Sequence, residues 1–308
     1  MMDYLILILG LIVLFLSGSW LVAGSVQIAR HFKLSSLIVG VTVVALGTSA
    51  PELFVSLKAA IKGSSDISLG NVVGSNISNI GIVLGLVALI IPIKVNNVGI
   101  WRDWLFLLIS TILLILLSLD GKLGLFEGLA FITALTIYLV WTIRMSRKEE
   151  KNEVINPPTM SMYKATTMVL LSIVGLYFGS DFLIESAINI AADWGLSQRV
   201  IGITVVAFGT SVPELITSLM AVLKKENEIS IGNIIGSNIF NIMAILGVTA
   251  TIRPINVNPE FLKFDYYWML GYVLLLLLVI LPLKKGVVNR FEAAFLFILY
   301  CVYVYLLF

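Results

Sequence analysis

The chain is poor in charge: Asp, Glu, Lys and Arg make up 12% of its 308 residues, against 59% apolar residues and a mean hydropathy of +1.04. So little polar surface excludes a water-soluble globular protein and places the chain in the integral membrane class. It has one histidine and one cysteine. A lone imidazole holds no metal, so His31 is expected as an interfacial residue of a short basic loop. Cys301 has no partner for an intrachain disulfide, says nothing about redox compartment, and is expected to pack within the last apolar segment. The net charge of +2 is spread without a basic stripe, which leaves nothing for nucleic acid.

What is abundant is apolar runs of about 20 residues, the length a helix needs to cross roughly 30 Å of hydrocarbon. Ten are expected, over 4–25, 36–61, 67–92, 103–119, 124–143, 164–188, 198–223, 229–252, 265–282 and 289–308. No basic residue precedes the first run and no small-residue cleavage site follows it, so it is read as a retained helix whose N-terminus faces outward. Alternating loops from that start put fourteen of the twenty basic residues on one face, among them Arg30, Arg102, Arg144, Lys148, Lys224 and Lys285. The other face receives Lys58, Lys62, Lys122, Arg199, Arg253 and Lys263. That bias marks the cytoplasmic side and predicts a multi-pass protein of the plasma (inner) membrane with both termini outside. Trp101, Trp104, Trp141, Trp194, Tyr266, Tyr267 and Trp268 fall near segment ends and are expected to form interfacial belts.

The chain repeats itself. Gly47-Thr48-Ser49-Ala50-Pro51-Glu52 recurs as Gly209-Thr210-Ser211-Val212-Pro213-Glu214, an offset of 162 residues (214 − 52). Gly70-Asn71-Val72-Val73-Gly74-Ser75-Asn76 returns at the same offset as Gly232-Asn233-Ile234-Ile235-Gly236-Ser237-Asn238, each followed three residues later by Asn79 or Asn241. Five crossings per copy is an odd number, so the second copy must enter the membrane in the opposite sense. The expected architecture is an all-α integral membrane protein of ten transmembrane helices in two inverted five-helix repeats. Residues 1–143 form the first repeat, 144–163 a short cytoplasmic linker and 164–308 the second.

Most of the eighteen acidic residues lie in loops or near segment ends, where water reaches them. Glu52 and Glu214 do not. A carboxylate at the middle of a spanning helix costs about 2.5–3.5 kcal/mol, so the two together require roughly 5–7 kcal/mol of compensation. No Lys or Arg lies in the central part of any expected segment, which leaves a bound cation as the compensating charge. Pro51 lacks an N–H and clashes with the Gly47 carbonyl, so the helix is expected to break there. Carbonyls from Ala45 to Gly47 and the hydroxyls of Thr48 and Ser49 then become oxygen donors beside Glu52. Ala207 to Gly209, Thr210 and Ser211 do the same beside Glu214. Asn71, Ser75 and Asn79 form one polar stripe at helical spacing, as do Asn233, Ser237 and Asn241. For Ser75, Asn79, Ser237 and Asn241 the pattern admits an interhelical hydrogen bond or an ion ligand. Gly70, Gly74, Gly232 and Gly236 read as surfaces that let backbones approach closely.

Hard oxygen donors with two carboxylates, and neither thiol nor imidazole, select Ca²⁺ or Na⁺ over Zn²⁺ or Cu²⁺. An empty site carrying about two negative charges through low dielectric is prohibitive, so only loaded forms should switch access, which is the behaviour of an exchanger. A calcium/proton antiporter remains an alternative, because a buried glutamate can carry a proton in place of sodium. Duplicated Thr-Ser hydroxyls favour sodium, which needs several oxygens. A passive channel would conduct without a counter-ion, and an intramembrane protease would need its acids around an activating water and a path for peptide, which nothing here suggests.

These paired Gly-Thr-Ser-x-Pro-Glu and Gly-Asn-x-x-Gly-Ser-Asn motifs resemble the α-repeats of the cation/calcium antiporter (CaCA) superfamily, in its prokaryotic sodium/calcium exchanger branch. The resemblance spans essentially the whole chain. It implies ten helices in inverted repeats, with the first and sixth sliding across the other eight to alternate access. It places calcium ligands at Thr48, Glu52, Thr210 and Glu214, sodium positions at Ala45, Ser49, Ser75, Ala207, Ser211 and Ser237, and Asn79 and Asn241 around the central position. Potassium-dependent members carry Asp where this chain has Asn241, and animal exchangers carry a large cytosolic insert for which residues 144–163 leave no room. No catalytic residue and no cofactor is expected. The expected partners are transported Ca²⁺ and Na⁺ and the lipid bilayer, with the chain working as a monomer.

Overall fold

The computed structural model of the chain describes residues 2–95, 99–149, 157–194, 207–280 and 286–307. The first half contributes α1 (Met2–Phe32), α2 (Ser36–Thr48), α3 (Ala50–Ile61), α4 (Ser65–Ile90), β1 (Ile93–Lys94), α5 (Gly99–Leu117), β2 (Lys122–Leu123) and α6 (Leu125–Glu149). The second contributes α7 (Met162–Asp193), α8 (Ala207–Thr210), α9 (Val212–Leu223), α10 (Asn227–Ile252), β3 (Ile255–Asn256), α11 (Phe261–Ile280), β4 (Val287–Val288) and α12 (Arg290–Leu306).

Among the described residues, seven helices are long and apolar enough to cross a membrane, or eight if α2 and α3, bent by 47° at their junction, count as one span. The segment expected over 198–223 is represented by α8 and α9; its residues 198–206, including Arg199, lie outside the described residues, as do 150–156 of the linker, Lys284 and Lys285. The segment expected over 289–308 is α12, 17 residues long. Its start is fixed by a reciprocal cap, in which Asn289 accepts from Phe291 N and Glu292 N while Glu292 accepts from Asn289 N.

α4 and α10 form the centre: 78% and 89% of their most apolar stretches are buried, against 33% for α1 and 28% for α7. They run antiparallel. Asn256 N, just past α10, donates to Ser65 Oγ at the start of α4 (3.1 Å), and Arg290 donates to the carbonyl of Ile90 at the other end of α4 (3.2 Å). α1 and α7 pack on each other along their length and turn large apolar side chains outward, among them Leu9, Ile12, Leu170 and Val174.

The two short ladders carry the internal repeat into three dimensions. β1 pairs antiparallel with β4, Ile93 opposite Val288, and β2 with β3, Leu123 opposite Ile255. Adding 162 to 93 gives 255, and adding 165 to 123 gives 288, so one ladder is the image of the other with its strands exchanged between halves. α5 and α11 cross in the same reciprocal way: Trp104 Nε1 donates to Val273 O (2.7 Å), and Tyr266 OH lies 3.0 Å from Ser118 Oγ.

That crossing corrects the belt reading for Trp104 and Tyr266, which are buried because their polar atoms find partners inside the protein. Trp101, Trp141, Trp194 and Tyr267 are exposed as expected. Cys301 is also exposed, on the outer side of α12 rather than packed in the core, because α12 buries Ala293, Leu296 and Tyr303 instead. His31 Nε2 pairs with the Met160 carbonyl (2.8 Å), tying the end of α1 to the segment before α7.

α2 lies backbone to backbone on α10. A Cβ at Gly236 would sit 2.5 Å from the Val41 carbonyl oxygen, and one at Gly232 2.6 Å from that of Leu37. Gly236→Ala is therefore expected to cost about 1–3 kcal/mol by overpacking. Thermal melting of the purified variant in detergent checks this, and an unchanged melting temperature would contradict the packing described.

Candidate cation site

The α2–α3 break falls at Ser49 (φ −83°, ψ 5°), and the α8–α9 break at Ser211 (φ −89°, ψ 1°). Each is two residues later than the glycine at which the sequence placed it. Pro51 and Pro213 stand in the first turn of α3 and α9, where a missing N–H costs least. The Ala45 carbonyl still accepts from Ser49 N (3.0 Å) and lies 3.3 Å from Thr48 Oγ1. Pro51 supplies no N–H to the Gly47 carbonyl, so that oxygen is the one freed.

Each break delivers its carboxylate into the protein centre, where Glu52 and Glu214 are both 0% exposed. Ser49 Oγ reaches across the halves to Glu214 Oε1 (3.2 Å). Glu52 Oε1 and Oε2 and Glu214 Oε2 accept no hydrogen bond. Both side-chain atoms of Asn79 and of Asn241, also 0% exposed, are likewise without a hydrogen-bond partner. Buried polar atoms are normally satisfied, so this concentration of unsatisfied oxygens around two carboxylates is an environment for a cation. Carboxylate, hydroxyl and amide oxygens fit a hard ion.

The remaining donors interlock across the repeats. Thr48 Oγ1 lies 3.1 Å from Asn233 Oδ1 and 3.3 Å from Ser237 Oγ, and Ser78 Oγ lies 2.7 Å from Ser211 Oγ. Ser75 and Thr210 are buried and line one cavity together. Ala45 is buried; Ala207 opens α8, and its side chain lies outside the described residues.

The structure adds residues that the sequence reading left out of the site. Asn71 Nδ2 donates to the backbone carbonyl of Glu52 (3.2 Å) and to Ser56 Oγ (2.8 Å). Asn233 Nδ2 does the same to Glu214 O (3.4 Å) and Ser218 Oγ (3.0 Å). These amides hold the turn that carries each carboxylate, and Ser56 and Ser218 were detectable as a further match at the 162-residue offset. In both α4 and α10 the helix widens to π geometry from the site asparagine onward, over Asn79–Leu84 and Asn241–Leu246. Such bulges re-aim side chains and gather at functional sites. Asp103, expected at a solvated helix end, is instead buried and accepts from Tyr138 OH (2.7 Å).

The family described as "Sodium/calcium exchanger protein" matches residues 2–144 and 164–308. The chain is 38% identical to a putative antiporter CaxA of Alkalimonas amylolytica, over 98% of this chain and 97% of that one. It is 30% identical to the sodium/calcium exchanger MaX1 of Methanosarcina acetivorans, over 99% and 98%. Among solved structures, the sodium-calcium exchanger NCX_Mj soaked with 2.5 mM Na⁺ and 0.1 mM Ca²⁺ superposes with a TM-score of 0.84 at 32% identity, covering 99% of this chain and 98% of that one.

If the orphaned carboxylates face a cation, adding Ca²⁺ to the purified protein should raise its melting temperature. Glu52→Gln and Glu214→Gln are expected to abolish that rise and to abolish transport while the protein stays monodisperse. A variant that keeps both the calcium-dependent shift and near-normal transport would sink the site assignment.

Proposed function

Because the chain belongs to the sodium/calcium exchanger family, we propose that it exchanges Na⁺ for Ca²⁺ across the membrane by alternating access, at a midplane site built on Glu52 and Glu214. The observation that carries this reading is the set of unsatisfied buried oxygens on those two residues and on Asn79 and Asn241. In this proposal Thr48, Glu52, Thr210 and Glu214 hold calcium. Ala45, Ser49, Ser75, Ala207, Ser211 and Ser237 hold flanking sodium ions, with Asn79 and Asn241 beside the central position. The names of MaX1 and NCX_Mj, both sodium/calcium exchangers, support the pair of ions.

The mechanism follows from charge. Two carboxylates deep in a low-dielectric core repel each other and resist any movement that would carry them empty past the apolar barrier. One Ca²⁺ or several Na⁺ cancels that charge, so the loaded forms interconvert and the empty form does not. Release on one side therefore has to be followed by loading on the same side, which couples the two fluxes. The exchanged pairing of the strand ladders and the shared offset of the two breaks support ten crossings in two inverted repeats, 1–143 and 164–308, joined by a cytoplasmic linker over 144–163. Both termini lie outside the plasma membrane in this reading, and a single chain carries the whole site.

Calcium-45 uptake into proteoliposomes tests the proposal. Uptake is expected only when the lumen holds Na⁺, and not with K⁺ or choline at matched pH. Uptake driven by a pH gradient without Na⁺ would identify a proton antiporter, and uptake with no counter-ion a channel.

A further inference from the structure

Ser78 of α4 interrupts the internal repeat. Adding 162 to 78 gives Phe240 on α10, so one central helix carries a hydroxyl where the other carries an aromatic ring. Both residues are buried, at 1% and 5% exposure, and each stands one residue before the asparagine at which its helix widens. α9 packs against the widened turn of α4, and α3 against that of α10, so each turn meets the broken helix of the other half. A hydroxyl removed from water costs free energy unless it finds partners, and the partners of Ser78 say what it does.

Those partners fix the direction of two protons. Ser78 Oγ donates to the Ser75 carbonyl (3.1 Å) and lies 2.7 Å from Ser211 Oγ at the α8–α9 break. A hydroxyl has one proton, and a carbonyl can only accept. With its proton on Ser75 O, Ser78 accepts from Ser211, and the relay runs from Ser211 through Ser78 to the α4 backbone. Both lone pairs of Ser211 Oγ are then left for a cation, with its proton turned away. At the other break Ser49, the mate of Ser211, gives its proton to Glu214 Oε1 instead (3.2 Å). Glu52, the mate of Glu214, accepts no hydrogen bond on either oxygen. The proton that the repeat would direct to Glu52 thus goes to Ser78.

We propose that Ser78 is a specificity-determining residue for sodium: by taking the Ser211 proton it makes the flanking position at Ser211 present oxygen lone pairs to Na⁺, while calcium is held without it. The inference rests on the exchanger reading, in which Ser211 holds a flanking sodium ion and Thr48, Glu52, Thr210 and Glu214 hold calcium. Hard cations bind oxygen lone pairs, and a hydroxyl proton aimed at the ion opposes them. Ser78 acts through Ser211 and is therefore a positioning residue. A bond that merely tied α4 to the break would, when lost, change every mode of transport alike.

The test compares sodium-dependent with sodium-free transport in proteoliposomes. Two variants remove the relay: Ser78→Ala, and Ser78→Cys, which is close to serine in volume but bonds weakly through sulfur. Both are expected to raise the Na⁺ concentration that half-maximally drives calcium-45 uptake by roughly two- to ten-fold, the worth of one hydrogen bond. Exchange of calcium-45 against unlabelled Ca²⁺ needs no sodium, and without Na⁺ it should keep its KM and maximal rate. Inhibition of that exchange by added Na⁺ should weaken by the same factor as the sodium-driven uptake. Ser78→Thr, which keeps the hydroxyl, should restore the sodium dependence. An unchanged half-saturation by Na⁺ in Ser78→Ala would overturn the proposal, and so would an equal shift in the KM for Ca²⁺. Absence of sodium-driven calcium uptake in the unmodified protein would instead overturn the exchanger reading.

Discussion

Two carboxylates without compensating charge, held where water does not reach, are the constraint around which this protein is arranged. Placing Glu52 and Glu214 at membrane depth costs about 2.5–3.5 kcal/mol each, and no hydrogen bond relieves three of their four oxygens. The rest of the core makes their position tolerable. The helices that carry them are interrupted one turn earlier, at Ser49 and Ser211, so that prolines fall where they do least damage. Asn71 and Asn233 hold the backbone at each carboxylate from the neighbouring helix. α4 and α10, which carry the asparagine and serine stripes, are the most deeply buried of the described spanning helices.

Symmetry explains much of this economy. The ladders, the breaks, the π-widened turns and the asparagine braces all recur at a near-constant offset. Where the described residues show the packing on a central helix, α2 closes over Gly232 and Gly236 of α10 with its backbone, and only glycine permits that approach.

Much of this was legible in the chain. Low charge and long apolar runs specify membrane helices; duplicated Pro-Glu motifs specify two breaks; two glutamates away from any solvated end specify a pair of buried acids. These features are local or periodic, and the chemistry of a single residue in hydrocarbon decides them. The same reasoning misjudged Trp104, Tyr266 and Asp103, each assigned to a solvated end because it lies near one in sequence. Each is buried because a partner distant in sequence, Val273, Ser118 or Tyr138, satisfies its polar atom.

By itself, then, the sequence determined the solvent, the repeat, the breaks and the acids, since each depends on residue type and spacing. Tertiary structure alone decided which oxygens stay unsatisfied, which polar end groups are buried, and that α4 and α10 lie antiparallel within reach of both acids. The reason is physical: hydrogen-bond satisfaction and cavity closure depend on which atoms of the two halves meet, and two nearly identical copies carry the same pattern whichever way they pack.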